Sequence, residues 1–375
     1  MPNYKSRFFI LCFFTIISIG CTSEKKPSFS IEGSVSNLKE NFILLSAVED
    51  IQNAKTRVID TIKVTDLGEF KSDYWLEPNI YSLTFDGIKT INLAIDKGQH
   101  IVVKGTSLDD LEISGSVDTD LLNAYETFRI ESLDRLVNSV RKDIKTLQGD
   151  TANEAKIAQL REVEVENYKK HLNELMTFVK EKMGTSIAIY PTSIRWNGED
   201  NLPFLQKLVA EFEEKNPALN ITQKLIDKLQ MLEKTSVGGN ISEIVMPSAS
   251  NELISLNNIR AKYTLIDFWA SWCPPCRTES KLLHTLYNTY QAKGFEIYGI
   301  SLDSKRENWL NAVKKDKRIW TNVSTVEGFK TPVSLEYGIT SLPTNFLIDA
   351  SGKIIAVNIH GQYLKEKIDA LFIEN

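Results

Sequence analysis

Cysteine and histidine are scarce in this 375-residue chain, four of each, and that scarcity narrows the chemistry before any motif is read. Cys12 lies inside an N-terminal apolar run and Cys21 ends it, which leaves Cys273 and Cys276 as the pair expected to meet in the folded body. A cross-link over two intervening residues constrains little of the unfolded chain, so stapling a fold explains this pair poorly. A reactive dithiol or a metal clip remains. A closed tetrahedral metal site needs two more ligands, and the last third offers only His284 and His360, each read as a surface or core residue. We therefore expect no metal and no cofactor. Long blocks of one charge are also missing: the formal net charge of -5 is spread along the chain, which gives no reason to expect nucleic acid. The apolar run from Phe8 to Ile19 is too short to span a bilayer comfortably.

That run follows Lys5 and Arg7 and has the length of a signal h-region. It finishes Ser18-Ile19-Gly20-Cys21 ahead of polar Thr-Ser-Glu-Lys-Lys. The segment resembles a bacterial lipoprotein signal, residues 1–20, with lipid attached to the sulfur of Cys21. The resemblance implies a lipid-anchored protein of the cell envelope, facing the periplasm and tethered without a spanning helix. Disulfides persist in such a compartment, so a dithiol there needs an electron source.

From residue 29 to 116 the pattern is one of short β-type runs: 29–35, 41–48, 56–64, 69–74, 80–85, 91–95 and 100–104. Asp66-Leu67-Gly68, Glu77-Pro78-Asn79, Asp86-Gly87 and Asp96-Lys97-Gly98 break them at sandwich-like spacing. This predicts an N-terminal antiparallel β-sandwich. Its succession of turn motifs resembles an uncharacterised domain that precedes thioredoxin-like domains in Bacteroidetes lipoproteins. Residues 117–236 change to a helical period, with Ile157, Leu160, Tyr168, Leu172, Leu175, Met176 and Val179 on one face. Helices are predicted near 119–147, 203–215 and 221–234, and the Glu- and Lys-rich remainder reads as a solvated face. Val237-Gly238-Gly239-Asn240 reads as a hinge.

Residues 240–375 alternate strands and helices, the pattern of an α/β sheet with parallel strands and helices on both faces. Three blocks stand out: Phe268-Trp269-Ala270-Ser271-Trp272-Cys273-Pro274-Pro275-Cys276-Arg277, Gly299-Ile300-Ser301-Leu302-Asp303, and Leu342-Pro343-Thr344-Asn345-Phe346-Leu347-Ile348-Asp349. In this order and spacing they resemble thioredoxin-like proteins of the TlpA/ResA type, over about 130 residues. A bare Cys-x-x-Cys would not be specific; the combination is.

At a helix start, Cys273 would feel unpaired amide N–H groups and the positive end of the helix dipole, which favour a thiolate. It is the expected nucleophile, and Cys276, at i+3 and more buried, the resolving thiol. Pro274 and Pro275 fit the first helical turn, where a missing N–H costs little. The resemblance assigns further roles. Asp267, six residues before Cys273, matches the buried acid of thioredoxins, whose raised pKa suits it to take a proton from Cys276. Pro343 matches the family's cis proline, with the adjoining Leu342 backbone open to a substrate chain, and Trp272 shields the thiols. Lys281 stands where relatives usually carry a helix proline. The implied activity is reduction of disulfides in envelope proteins, with re-reduction by a membrane electron donor, in cytochrome c maturation or general thiol repair. A peroxiredoxin-like peroxide reductase and a copper-binding thioredoxin-like chaperone are the alternatives.

Overall fold

The computed structural model describes residues 26–198 and 201–373. The signal-like segment and Cys21 lie outside the described residues. Strands β1 (Phe29–Val35), β2 (Phe42–Asp50), β3 (Lys55–Lys63), β4 (Glu69–Tyr74), β5 (Asn79–Phe85), β6 (Lys89–Ile95), β7 (His100–Gly105) and β8 (Glu112–Ser114) form two four-stranded sheets, β4-β1-β7-β8 and β3-β2-β5-β6. Inward-facing residues of both sheets share one core, in which Phe29 meets Tyr81 and Phe70 meets Phe85 across the layers. The alternation that reveals each strand also says which of its side chains enter this core. One pair departs from the antiparallel expectation: β1 runs parallel to β7. The chain has left for the opposite sheet in the meantime, and it returns beside β1 in the same direction. The short β8 escaped the sequence pattern because three residues show no period.

The helical region follows as α1 (Val117–Leu133), α2 (Ser139–Leu147), α3 (Glu154–Phe178), the single turn α4 (Ile189–Thr192), α5 (Leu202–Lys215) and α6 (Asn220–Thr235). A π-turn at Asp134–Asn138 joins α1 to α2 without a break in the helical path. Ser116 caps α1 by accepting the Thr119 N–H at 3.0 Å, and the hydroxyls of Ser116 and Thr119 both donate to the Ala94 carbonyl of β6. Capping and docking onto the sandwich are thus one arrangement. Buried Asp118 extends it, accepting from Gln99 Nε2 at 2.6 Å and from the Ile187 N–H at 3.0 Å. The helices enclose their own core around Tyr125, Phe178, Trp196 and Phe212.

The last part contains β9 (Val245–Pro247), β10 (Leu253–Ser255), α7 (Leu256–Ile259), β11 (Tyr263–Trp269), α8 (Pro274–Tyr290), β12 (Phe295–Ser301), α9 (Arg306–Lys315), β13 (Thr321–Val323), α10 (Pro332–Glu336), β14 (Thr344–Asp349), β15 (Ile354–Val357) and α11 (Gly361–Ile373). Its main sheet has the order β13-β12-β11-β14-β15. It is mixed: β11, β12 and β13 are parallel, while β14 runs antiparallel to β11 and β15. Apolar residues of α8 and α11 cover one face, and Val333 and Tyr337, on and just after α10, pack on the other.

The expected hinge is strapped down. Gly238 and Ile241 donate backbone hydrogen bonds to Ile354 and Gly352, and Ile354 donates to Gly239, all at 2.8–2.9 Å. The segment thereby lies along the free edge of β15. Glycine serves close approach here, because a Cβ on Gly239 would sit 2.2 Å from the Lys234 carbonyl oxygen. Helix α3 packs against α8, which brings the helical region onto the face where the cysteines lie. Among the described residues no helix is long and apolar enough to cross a membrane.

Candidate active site

The mostly apolar β11 ends at Trp269, and the chain turns through Ala270–Trp272 into α8. That turn is fixed by side chains. Buried Asp303 accepts the Ser271 N–H at 2.9 Å, the Ser271 hydroxyl at 2.5 Å and the Ser301 hydroxyl at 2.8 Å. Arg277, one turn into α8, donates to the Ser271 carbonyl at 3.0 Å while its fork grips the Asp316 carboxylate. Cys273 occupies the N-cap of α8, with Pro274 and Pro275 in the first turn. Its Sγ accepts the Cys276 N–H at 3.3 Å, the place an Asp or Ser oxygen fills at other helix starts.

Cys273 and Cys276 are joined as a disulfide. Both are 3% exposed, so in this oxidised form Cys276 is not the more buried of the two. The half-buried Leu342 packs against the cluster that contains both cysteines, Trp269 and Trp309. The Leu342–Pro343 peptide bond is cis, in keeping with the sequence expectation. The β11–β14 ladder begins only at the Phe268–Thr344 pair, which leaves Ser341–Pro343 outside the sheet. Trp272 is 54% exposed beside Phe329, ring centres 6.0 Å apart. Lys281 is exposed, and α8 runs past it unbroken.

Asp267 is buried at the middle of the sheet, as expected, but it is not alone. Arg318 donates to its Oδ2, to Ser280 Oγ at 2.7 Å and to Asn322 Oδ1 at 3.2 Å, and its guanidinium lies 3.8 Å from the Trp269 ring centre and 4.9 Å from that of Trp320. Side-chain exposures of 0% and 3% make this a fully desolvated ion pair. Burial drives the Asp267 carboxyl above its ordinary value, and Arg318 pulls against it. Trp320 is one face of the slot holding Arg318.

A second buried pair stands nearby. His360 Nδ1 lies 3.0 Å from Glu279 Oε2, and the Gly361 N–H donates to Oε1 at 3.0 Å. Asn345 braces the segment, exchanging hydrogen bonds with Ile359. Burial acts to lower the His360 pKa, but the Glu279 carboxylate, with Asp267 behind it, outweighs that and holds the imidazole above its ordinary value. Glu279 stands on α8 three residues after Cys276. His360, 81 residues away, carried no local signal. Among the described residues no group of three or more His, Cys, Asp or Glu could hold a metal ion.

Comparison with known proteins bears directly on this arrangement. A model of the AhpC/TSA family matches residues 237–357. The thiol-disulfide oxidoreductase ResA of Bacillus thuringiensis (strain Al Hakam) is 32% identical over 145 residues, which cover 36% of this chain and 77% of that protein. ResA of Geobacillus thermodenitrificans is 33% identical over 138 residues, 36% of this chain and 77% of that protein. The chain belongs to the ResA-like thiol-disulfide oxidoreductases. Among solved structures, a thiol-disulfide oxidoreductase from Bacteroides fragilis is similar at 35% identity, over 35% of this chain and 98% of that one, with a TM-score of 0.33. The oxidoreductase thus carries its family signature in the last third, and the sandwich and the helical region precede the family match.

Proposed function

We propose that this oxidoreductase reduces disulfides of envelope proteins through Cys273 and Cys276, anchored to a membrane by lipid on Cys21 and re-reduced by a membrane electron donor. The observation that carries the reading is the Cys273–Cys276 disulfide at the start of α8, adjoining the cis Leu342–Pro343 bond. In the reduced protein the Cys273 thiolate, favoured by the helix dipole, attacks one sulfur of a substrate disulfide. That S–S bond breaks, the departing substrate sulfur takes a proton, and a mixed disulfide joins the other sulfur to Cys273. Cys276 then gives up its proton to Asp267, whose carboxyl burial has raised, and attacks Cys273 Sγ. The second substrate thiolate leaves. Two electrons have passed to the substrate, and the protein holds the disulfide. Trp272, Leu342 and Pro343 form the surface on which the substrate chain rests.

Cys273→Ser is the first test: reduction of a model protein disulfide should fall to the uncatalysed rate, and retained turnover overturns the mechanism. The redox midpoint of the pair decides direction. A value near thioredoxin's roughly -270 mV supports reduction, and one near the roughly -120 mV of a periplasmic oxidant reverses the electron flow. The AhpC/TSA match favours peroxide reduction as the second reading. It is selected if Cys276→Ser turns over peroxide with an added thiol while failing on protein disulfides.

A further inference from the structure

A cleft of about 400 Å³ opens at Pro275, in the turn between the two cysteines, lined on one side by Pro275, Leu282 and cis-Pro343, and on the other by Arg161, Glu162, Val165 and Glu166 of α3. The second wall lies ahead of the family match, which begins at residue 237. Both basic groups in the lining are engaged by neighbours: Arg161 Nη1 donates to Glu164 at 2.8 Å, and His360 pairs with Glu279 at 3.0 Å. Glu164 also takes Arg141 at 2.6 Å and so does not cancel Arg161 by itself, but Glu162 and Glu166 on α3 and Glu366 on α11, all three exposed, leave the lining with an excess of carboxylates. Val165 and Leu282, half-buried and on opposite walls, provide apolar contact between them. A segment that enters this cleft toward Pro275 and Pro343 runs along α3.

We infer that α3 is the second wall of the substrate cleft and selects extended polypeptide segments in which the disulfide-bonded cysteine is flanked by basic residues. The inference rests on the oxidoreductase reading above. Acidic rim groups speed encounter with a basic segment and slow encounter with an acidic one, and salt screens both effects.

The test uses the full chain, reduced at Cys273 and Cys276, and its second-order rate constant with two mixed peptide disulfides of equal length. One peptide carries Lys on both sides of its cysteine and the other carries Glu. The unmodified chain should favour the Lys peptide by about ten-fold at low salt, with the preference shrinking at high salt. Glu162→Lys combined with Glu166→Lys should erase or invert that ratio, and an unmoved ratio overturns the inference. Should the double variant fail to fold, the Lys peptide is trapped on Cys273 in a Cys276→Ser chain and photo-crosslinked; adducts on α3 support the inference, and adducts confined to other elements overturn it. Reaction of the unmodified chain with hydroxyethyl disulfide separates the two claims. No reaction there removes the oxidoreductase reading, whereas reaction there with an unmoved peptide ratio removes only the role of α3.

Discussion

In the sandwich, Glu32 meets Lys71 and His100, and Glu49 meets Lys55 and Arg57, on surfaces open to water. In the redox unit, Asp267 meets Arg318, and Glu279 meets His360, with little or none of either pair reaching solvent. The sandwich closes two sheets over one apolar core and the redox unit covers its main sheet with helices, so both have apolar cores, but of the two only the redox unit buries these charge pairs. A core that only has to hold together needs no buried charge, because desolvating one costs several kcal/mol that attraction repays only with good geometry. The redox unit carries that cost twice, in one pair whose carboxyl burial has raised and another whose imidazole a carboxylate holds above its ordinary value.

The strongest way to break the comparison is to remove one partner of a buried pair. Arg318→Met leaves Asp267 desolvated without its cation and should destabilise the redox unit by about 3–5 kcal/mol. Urea unfolding followed by tryptophan fluorescence reports mainly on this unit, which holds four of the six tryptophans. A change well below that range would mean that Asp267 already sits protonated, its charge not needing Arg318.

A smaller effect comes from pH. The His360 pKa is raised in the folded protein, so its contribution is complete below the ordinary imidazole value of about 6.5 and is lost as pH rises through the raised folded value. The urea midpoint should fall over that window, and His360→Asn should flatten this part of the profile. His171, buried in the helical region, is shifted the other way by desolvation and the nearby arginines and costs stability as pH falls. The difference between the two proteins is therefore the readout, and a window shared by both would assign the effect elsewhere.

The smallest effect belongs to the sandwich. Glu32→Gln removes the acid shared by Lys71 and His100, yet exposed pairs contribute little, and the melting temperature should stay unchanged within error. A clear drop would show that this surface network matters and would weaken the contrast with the redox unit.

The strands of the sandwich, the long helices and the Cys273–Cys276 motif were legible in sequence because each is a local pattern. Alternation marks β1 to β7, the 3.6-residue period marks α1, α3, α5 and α6, and the two prolines after Cys273 mark the start of α8. The parallel β1–β7 pair and the mixed central sheet were not legible, since strand order is decided by where distant segments return. Val237–Asn240 shows how composition can mislead: glycines that read as a hinge are there to let the backbone press against β15 and Lys234.

What the sequence by itself determined is the reactive chemistry, because two cysteines separated by Pro-Pro at a helix start need only local geometry to meet. What the tertiary structure decided is the setting of that chemistry. Arg318 reaches Asp267 across 51 residues and His360 reaches Glu279 across 81, and α3 packs from another region of the chain against α8, the helix that opens at the cysteines. Charge pairs and cleft walls of this kind exist only once separate segments have packed, and no periodicity or spacing within any one of them encodes the partner.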